Sequence, residues 1–303
     1  MVKRIALIVC INYFGTLNEL NGCINDGVHI INFLKNRLKF KDTEIRFIND
    51  RYNTQIKPTK DNIVNQLKKV ANEINATKEP VELFIHYSGH GTQVQDVNND
   101  EINIYDEVIV PVDFMNNGFI SDDTMFSILN SITNTKCRLM AIFDCCNSGT
   151  ILDLKYKYIE NNKMKIENNK ANLKFPAFMI SGCKDFQTSA DYFSHETDKY
   201  GGALSNAVLR FFYRKRRVKF IPLIKSIRQD LKNKEFTQIP QLTTNVDINN
   251  KTFMYITRKN GTTKLIHQGG NKRNRNQQRR RRNRQRRRRN RRRRRNLRER
   301  YND

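Results

Sequence analysis

Short apolar runs rich in β-branched residues recur along the chain at Ile5–Ile11, Glu44–Ile48, Val81–Tyr87, Val108–Val110, Arg138–Phe143 and Phe178–Ser181. Runs of this length and composition read as buried strands. Between them the spacing turns helical. Ile24–Leu38 gathers Val28, Ile31, Phe33, Leu34 and Leu38 near one face, and Lys60–Ile74 does the same with Ile63, Leu67, Val70 and Ile74. A further helix is predicted from Ser121, with Asp122 and Asp123 in a first turn whose free N–H groups favour carboxylates. Such alternation predicts an α/β fold: a three-layer sandwich with a mainly parallel central sheet flanked by helices. Ligand sites in such sheets lie beyond the carboxyl ends of strands, which directs attention to the residues after Tyr87 and after Phe143.

The pattern weakens twice. Residues 155–174 are polar, rich in Asn and Lys and without strong periodicity, so they read as an exposed linker. The segment 175–260, with helical spacing at Ala203–Phe212 and Leu223–Leu231, reads as the smaller half of the same domain, 1–154 being the larger. From 261 to 303 the order signals fade. An Arg run with almost nothing apolar cannot fold by burial, and a disordered tail is expected.

Charge sharpens this division. The 303 residues carry a formal +26, and Lys272 to Asp303 hold 18 Arg and one Lys against two acids, a net +17 that leaves +9 for residues 1–271. Six cysteines without CxxC spacing or a dense secreted-type framework point to reduced thiols. The basic start before Ile5–Ile11 is reminiscent of a signal peptide, but the apolar run stops at Asn12 and no small-x-small site follows, so a buried first strand is the better reading. No stretch reaches the roughly 18 apolar residues of a membrane span.

Two segments place a reactive side chain after a buried strand among residues that permit tight turns. They are His86-Tyr87-Ser88-Gly89-His90-Gly91 and Asp144-Cys145-Cys146-Asn147-Ser148-Gly149-Thr150. A His and a Cys brought together in space make a nucleophile: the imidazole takes the thiol proton and the thiolate attacks a carbonyl. Taken singly, each has a plainer reading, because a buried Cys is usually a small hydrophobe and a His beside glycines can simply stabilise a turn.

Together the two turns resemble those of the caspase-like clan, and more closely the metacaspases, which carry the His in a Ser-Gly-His-Gly turn and the nucleophile in an Asp-x-Cys-His-Ser-Gly turn. Further segments match in family order: Asn21 to Asp26, Tyr105-Asp106-Glu107 through Asp113, Ile120 to Asp123, Ser181 to Asp191, and Gln238 to Leu242. The resemblance covers roughly residues 3–256 and implies a caspase-like fold without an N-terminal pro-region, since the first strand begins almost at Met1. One departure stands in the nucleophile turn, where Asn147 replaces the family's His.

The resemblance assigns roles. Cys146 is the expected nucleophile and His90 the base, with the backbone N–H groups of Gly91 and Cys146 as the oxyanion hole. Metacaspases resemble one another in an acidic pocket for Arg or Lys at P1. The matching positions are Asp26 and Asp144 with Ser88 and Cys23 beside them, since a desolvated carboxylate pairs well with a guanidinium. Asp26 has a second reading as a cap for a helix beginning near Gly27. Asp106, Asp122, Asp123 and Asp153 match an activating Ca²⁺ site, hard oxygens being what Ca²⁺ takes. Their plainer reading is a solvated helix start and loop charges.

The expected function is therefore a cysteine endopeptidase cleaving after Arg or Lys, activation by calcium being implied by the family, with self-processing in the 155–174 linker at Lys163, Lys165, Lys170 or Lys174. Expected partners are protein or peptide substrates with basic P1, and the molecule is expected to be a monomer like other metacaspases. The 272–300 tail should attract nucleic acid or another anionic partner nonspecifically through counterion release, or act as a nuclear or nucleolar address to a cytoplasmic protein. The rival reading is a weakly active or inactive caspase-fold scaffold delivered to nucleic acid by that tail, kept open by Asn147.

Overall fold

The computed structural model describes residues 2–51, 54–95, 105–146, 148–159, 163–168, 173–182, 191–194, 199–214, 217–246, 248, 253–259 and 262–267. Met1–His267 forms one compact unit. Its elements begin with β1 (Lys3–Cys10), α1 (Cys23–Phe33) continuing into a π-helical turn at Leu34–Leu38, β2 (Ile45–Asn49), α2 (Lys60–Asn75) and β3 (Val81–Ser88). There follow β4 (Gly91–Gln95), β5 (Tyr105–Ile109), the single turn α3 (Phe114–Asn117), β6 (Ile120–Ser121), α4 (Asp122–Asn130) and β7 (Cys137–Asp144). After β7 come β8 (Tyr156–Tyr158), β9 (Met164–Ile166), β10 (Ala177–Ser181), β11 (Asp191–Ser194), β12 (Lys199–Gly202) and α5 (Ala203–Arg214). The described elements end with β13 (Arg217–Lys219), α6 (Phe220–Asn233), β14 (Gln241–Thr244), β15 (Phe253–Lys259) and β16 (Thr262–His267).

The main sheet runs β2-β1-β3-β7-β10-β14-β8-β9. From β2 to β10 neighbours are parallel, and beyond β10 they are antiparallel. Strand periodicity divides the core in two. Leu83, Ile85 and Tyr87 enter a core shared with α2 and α4, while Phe84 enters another shared with α1, α5 and α6. Both faces of the central strands are therefore covered, which is why their sequences read as unbroken apolar runs. This is the predicted three-layer sandwich.

The 155–174 segment departs from the prediction of an exposed linker. Part of it folds as the β8–β9 hairpin and extends the sheet through β14, with Tyr158 1% exposed in the core and Lys157 paired with Glu167 at 3.2 Å. One aromatic residue fitted to the sheet face outweighs a polar average over twenty residues. The expected tail also begins later than 261, because Thr262–His267 pairs with β15 by backbone hydrogen bonds that require no apolar side chains. The remainder of that tail, 268–303, lies outside the described residues. Among the described residues no helix is long and apolar enough to cross a membrane.

Candidate active site

β3 and β7 are neighbouring parallel strands at the middle of the sheet, in register so that Ser88 lies opposite Asp144. His90 follows Ser88 by two residues and Cys146 follows Asp144 by two. The register thus delivers both turns to the same end of the sheet, and they touch. A side chain on Gly91 would overlap the Cys146 carbonyl and stand 3.2 Å from the Cys145 Sγ. Only glycine permits this approach. Cys145 is 1% exposed and belongs to the apolar core, whereas Cys146 is partly exposed. Among the described cysteines Cys146 alone is not buried, which makes it the thiol most open to solvent. Asn147 lies outside the described residues.

His90 is fixed on several sides. Its Nε2 lies 2.7 Å from the Asn18 carbonyl. A carbonyl only accepts, so Nε2 carries the proton and Nδ1 is left as the basic nitrogen. Its backbone N–H donates to the Tyr13 hydroxyl at 2.9 Å, and its carbonyl accepts from the Tyr87 hydroxyl at 2.7 Å. The Tyr13 ring packs against the imidazole, centroids 4.7 Å apart. Neither Tyr13 nor Asn18 stood out in the sequence, and Tyr87 did so only as part of the His90 segment.

The predicted pocket acids converge. Asp26 is 1% exposed and Asp144 4%. Asp26 accepts the Gly202 N–H at both oxygens and the Ser88 hydroxyl at 3.0 Å, while Asp144 accepts the Ser205 N–H at 2.8 Å. A side chain on Gly202 would overlap Asp144 and stand 2.7 Å from Asp26 Oδ2. The capping alternative for Asp26 is not realised. The helix starts at Cys23, and the Asn12 side chain accepts the Ile24 N–H from outside it. Cys23, 6% exposed, opens that helix beside Cys10, whose thiol is pushed well up by burial and then by the neighbouring Cys23 and Asp26. On the same face of β3 as Ser88, two residues back, lies the fully buried His86. Burial lowers its pKa to about 3, with the Ile142 backbone acting weakly the other way.

Of the four predicted cation ligands, three come together. Oxygens of Asp122, Asp123 and Asp153 lie within 4.8 Å of one another, and Asp106, on β5, is outside that group. Ser121 caps α4 by accepting the Thr124 N–H, which places Asp122 and Asp123 in its first turn. Asp153 holds a positive φ of 45°. Hard carboxylates this close repel each other unless they share a cation, and they suit a divalent one. Three carboxylates are fewer than the six to eight donors Ca²⁺ takes, so water and backbone carbonyls would complete the shell. Glu107 links this cluster to the nucleophile turn: its N–H donates to Asp122 at 2.8 Å and its carboxylate accepts the Thr150 N–H at 2.7 Å.

The chain is similar to several known proteins. The family model described as the metacaspase, peptidase C14 domain matches residues 3–155. Metacaspase-1 of Kluyveromyces lactis is 35% identical over 295 residues, covering 81% of this chain and 67% of its own. Metacaspase-3 of Trypanosoma brucei brucei is 35% identical over 252 residues, covering 78% of this chain and 70% of its own. A solved structure from Geobacter sulfurreducens shares the fold with a TM-score of 0.58 at 22% identity, covering 86% of this chain and 99% of that one.

Proposed function

Because the chain belongs to the metacaspases, a family of caspase-like cysteine peptidases, we propose that it is an endopeptidase cutting after Arg or Lys with Cys146 as nucleophile and His90 as base. The observation that carries the basic preference is the convergence of the Asp26 and Asp144 carboxylates on Gly202, on the face of the sheet where Ser88 ends β3. Two buried anions there offer a guanidinium or ammonium what it lacks in an apolar pocket.

In the reaction, His90 Nδ1 takes the Cys146 thiol proton and the thiolate attacks the carbonyl carbon after the basic residue. The oxyanion is held by the N–H groups of Gly91 and Cys146. The imidazolium returns its proton to the departing amine, and a water activated by His90 hydrolyses the thioester. Asp122, Asp123 and Asp153 would hold a calcium ion, Asp106 on β5 being the fourth acid that matches the family site. Its positive charge would offset the crowded carboxylates beside the nucleophile turn. Lys163, exposed between β8 and β9, is the site of self-cleavage on this reading. The basic tail would recruit nucleic acid or another polyanion.

Fluorogenic peptides bearing Arg, Lys or Asp at P1, assayed with calcium or chelator beside a Cys146→Ala control, test this. Calcium-stimulated cleavage after Arg and Lys, absent from the control, is expected. Silence toward all three from folded protein would favour the scaffold reading, which Asn147 in the family's His position supports.

A further inference from the structure

We infer that Tyr13 is a positioning residue for catalysis: with Tyr87 it clamps the His90 backbone and ring, leaving Nδ1 rather than Nε2 to act as the base. The inference rests on the Cys–His reading above and extends it to Tyr13, which lies outside the two catalytic turns.

Proton counting shows how the clamp works. Each phenol has one proton to donate. Tyr13 gives its proton to the Val110 carbonyl at 2.6 Å and accepts the His90 N–H, while Tyr87 gives its own to the His90 carbonyl. The two hydroxyl oxygens sit 3.2 Å apart, and the Val110 N–H points at Tyr87 from 3.3 Å. Both sides of the His90 backbone are therefore held by phenols anchored to β5's continuation at Val110. Burial keeps both phenols protonated by pushing them well above their ordinary range.

Tyr13 also acts on the ring. Its ring packs at 41° to the imidazole with centroids 4.7 Å apart, while the Asn18 carbonyl, five residues further on, accepts a hydrogen bond from Nε2. The loop between them is braced internally: the Thr16 hydroxyl donates to the Tyr13 carbonyl, the Asn18 N–H donates to the Thr16 hydroxyl, and the Leu20 N–H donates to the Asn12 carbonyl. Tyr13 itself has φ of +55°, a conformation that bulky L residues rarely adopt, and such strain persists where the surroundings require it. One short loop thus holds a catalytic imidazole by its amide, its ring and its Nε2.

The test uses the full chain and reads the thiolate–imidazolium pair without a substrate. Alkylation by iodoacetamide is followed against pH on the Cys146 peptide by mass spectrometry, beside kcat and KM on an Arg peptide. The wild type is expected to react well below the ordinary thiol midpoint of about 8.5. Tyr13→Phe keeps the ring and deletes the hydroxyl. It is expected to raise that midpoint by about one unit and to lower kcat about tenfold with KM within about twofold, a split that general stability loss does not produce. Tyr13→Leu, which also loses the ring, should fall about tenfold further. An ordinary midpoint in the wild type would sink the Cys–His reading itself. A low wild-type midpoint that Tyr13→Phe leaves in place, with kcat intact, overturns the clamp alone. If Tyr13→Phe does not fold, Tyr87→Phe decides, since an unchanged profile there contradicts the clamp equally.

Discussion

The amide of Gly202 donates to both carboxylate oxygens of Asp26, each at 2.9 Å. The two residues are 176 positions apart, and the contact joins the first helix of the larger half to the last residue of β12 in the smaller one. Any side chain at 202 would also meet Asp144. Gly202→Ala is therefore expected to lower kcat/KM on Arg peptides by about a hundredfold or more by displacing both acids. Steady-state kinetics on folded variant checks it, and wild-type kcat/KM would show that the acids do not form the pocket.

Asp26→Asn preserves shape and an acceptor for Ser88 while removing the charge. If the carboxylate pairs with a basic P1 side chain, the loss should be about 30- to 1000-fold in kcat/KM, the scale of a desolvated charge pair missing one partner. The rate of iodoacetamide reaction at Cys146 should stay the same. Parallel losses in both would place Asp26 in the nucleophile's environment instead of the pocket.

Stability should depend on His86. Its folded pKa of about 3 lies below the ordinary 6.5 of an unfolded histidine. The folded state therefore prefers the neutral ring. The contribution is complete above pH 6.5 and is lost as pH falls toward 3, at up to about 1.4 kcal/mol per pH unit. Urea unfolding of wild type and His86→Leu between pH 7 and pH 4.5 should show a steeper acid decline in the wild type. Identical slopes would contradict it.

The carboxylates of Asp122, Asp123 and Asp153 should respond to calcium as a unit. Added calcium is expected to raise the melting temperature of the wild type by several degrees, since a ligand at about 100 times its Kd adds about 2.7 kcal/mol. Asp153→Asn relieves repulsion and should match or exceed the wild type in chelator but lose the calcium shift. Scanning calorimetry in chelator and in calcium measures both, and an undiminished shift in the variant would place the ion elsewhere.

Much of this was legible because the physics is local. Apolar runs such as Val81–Tyr87 and Arg138–Phe143 mark strands covered on both faces, and turns carrying His90 and Cys146 just after them fall where a parallel sheet places its ligands. What escaped is carried by backbone or by distance. Gly202 and Ser205 contribute N–H groups, and Asn18 contributes a carbonyl, none of which marks a side chain. Tyr13 lies beyond the apolar run that stops at Asn12, and its role appears only when β3 brings His90 beside it. The β8–β9 hairpin was missed because its burial rests chiefly on Tyr158. Asp106 shares a motif with Glu107, but alternation along β5 sends neighbouring side chains to opposite faces, and Glu107 is the one that reaches the nucleophile turn.

The central claim is that Cys146 attacks a carbonyl held next to a basic residue. Incubating the full chain with an acyloxymethyl ketone bearing Arg at P1, in calcium, and locating the adduct by mass spectrometry tests it most directly. The account predicts one adduct per chain, on Cys146, present in Cys145→Ala and absent from Cys146→Ala. An adduct on another cysteine, or equal labelling by a probe bearing Asp at P1, would contradict it.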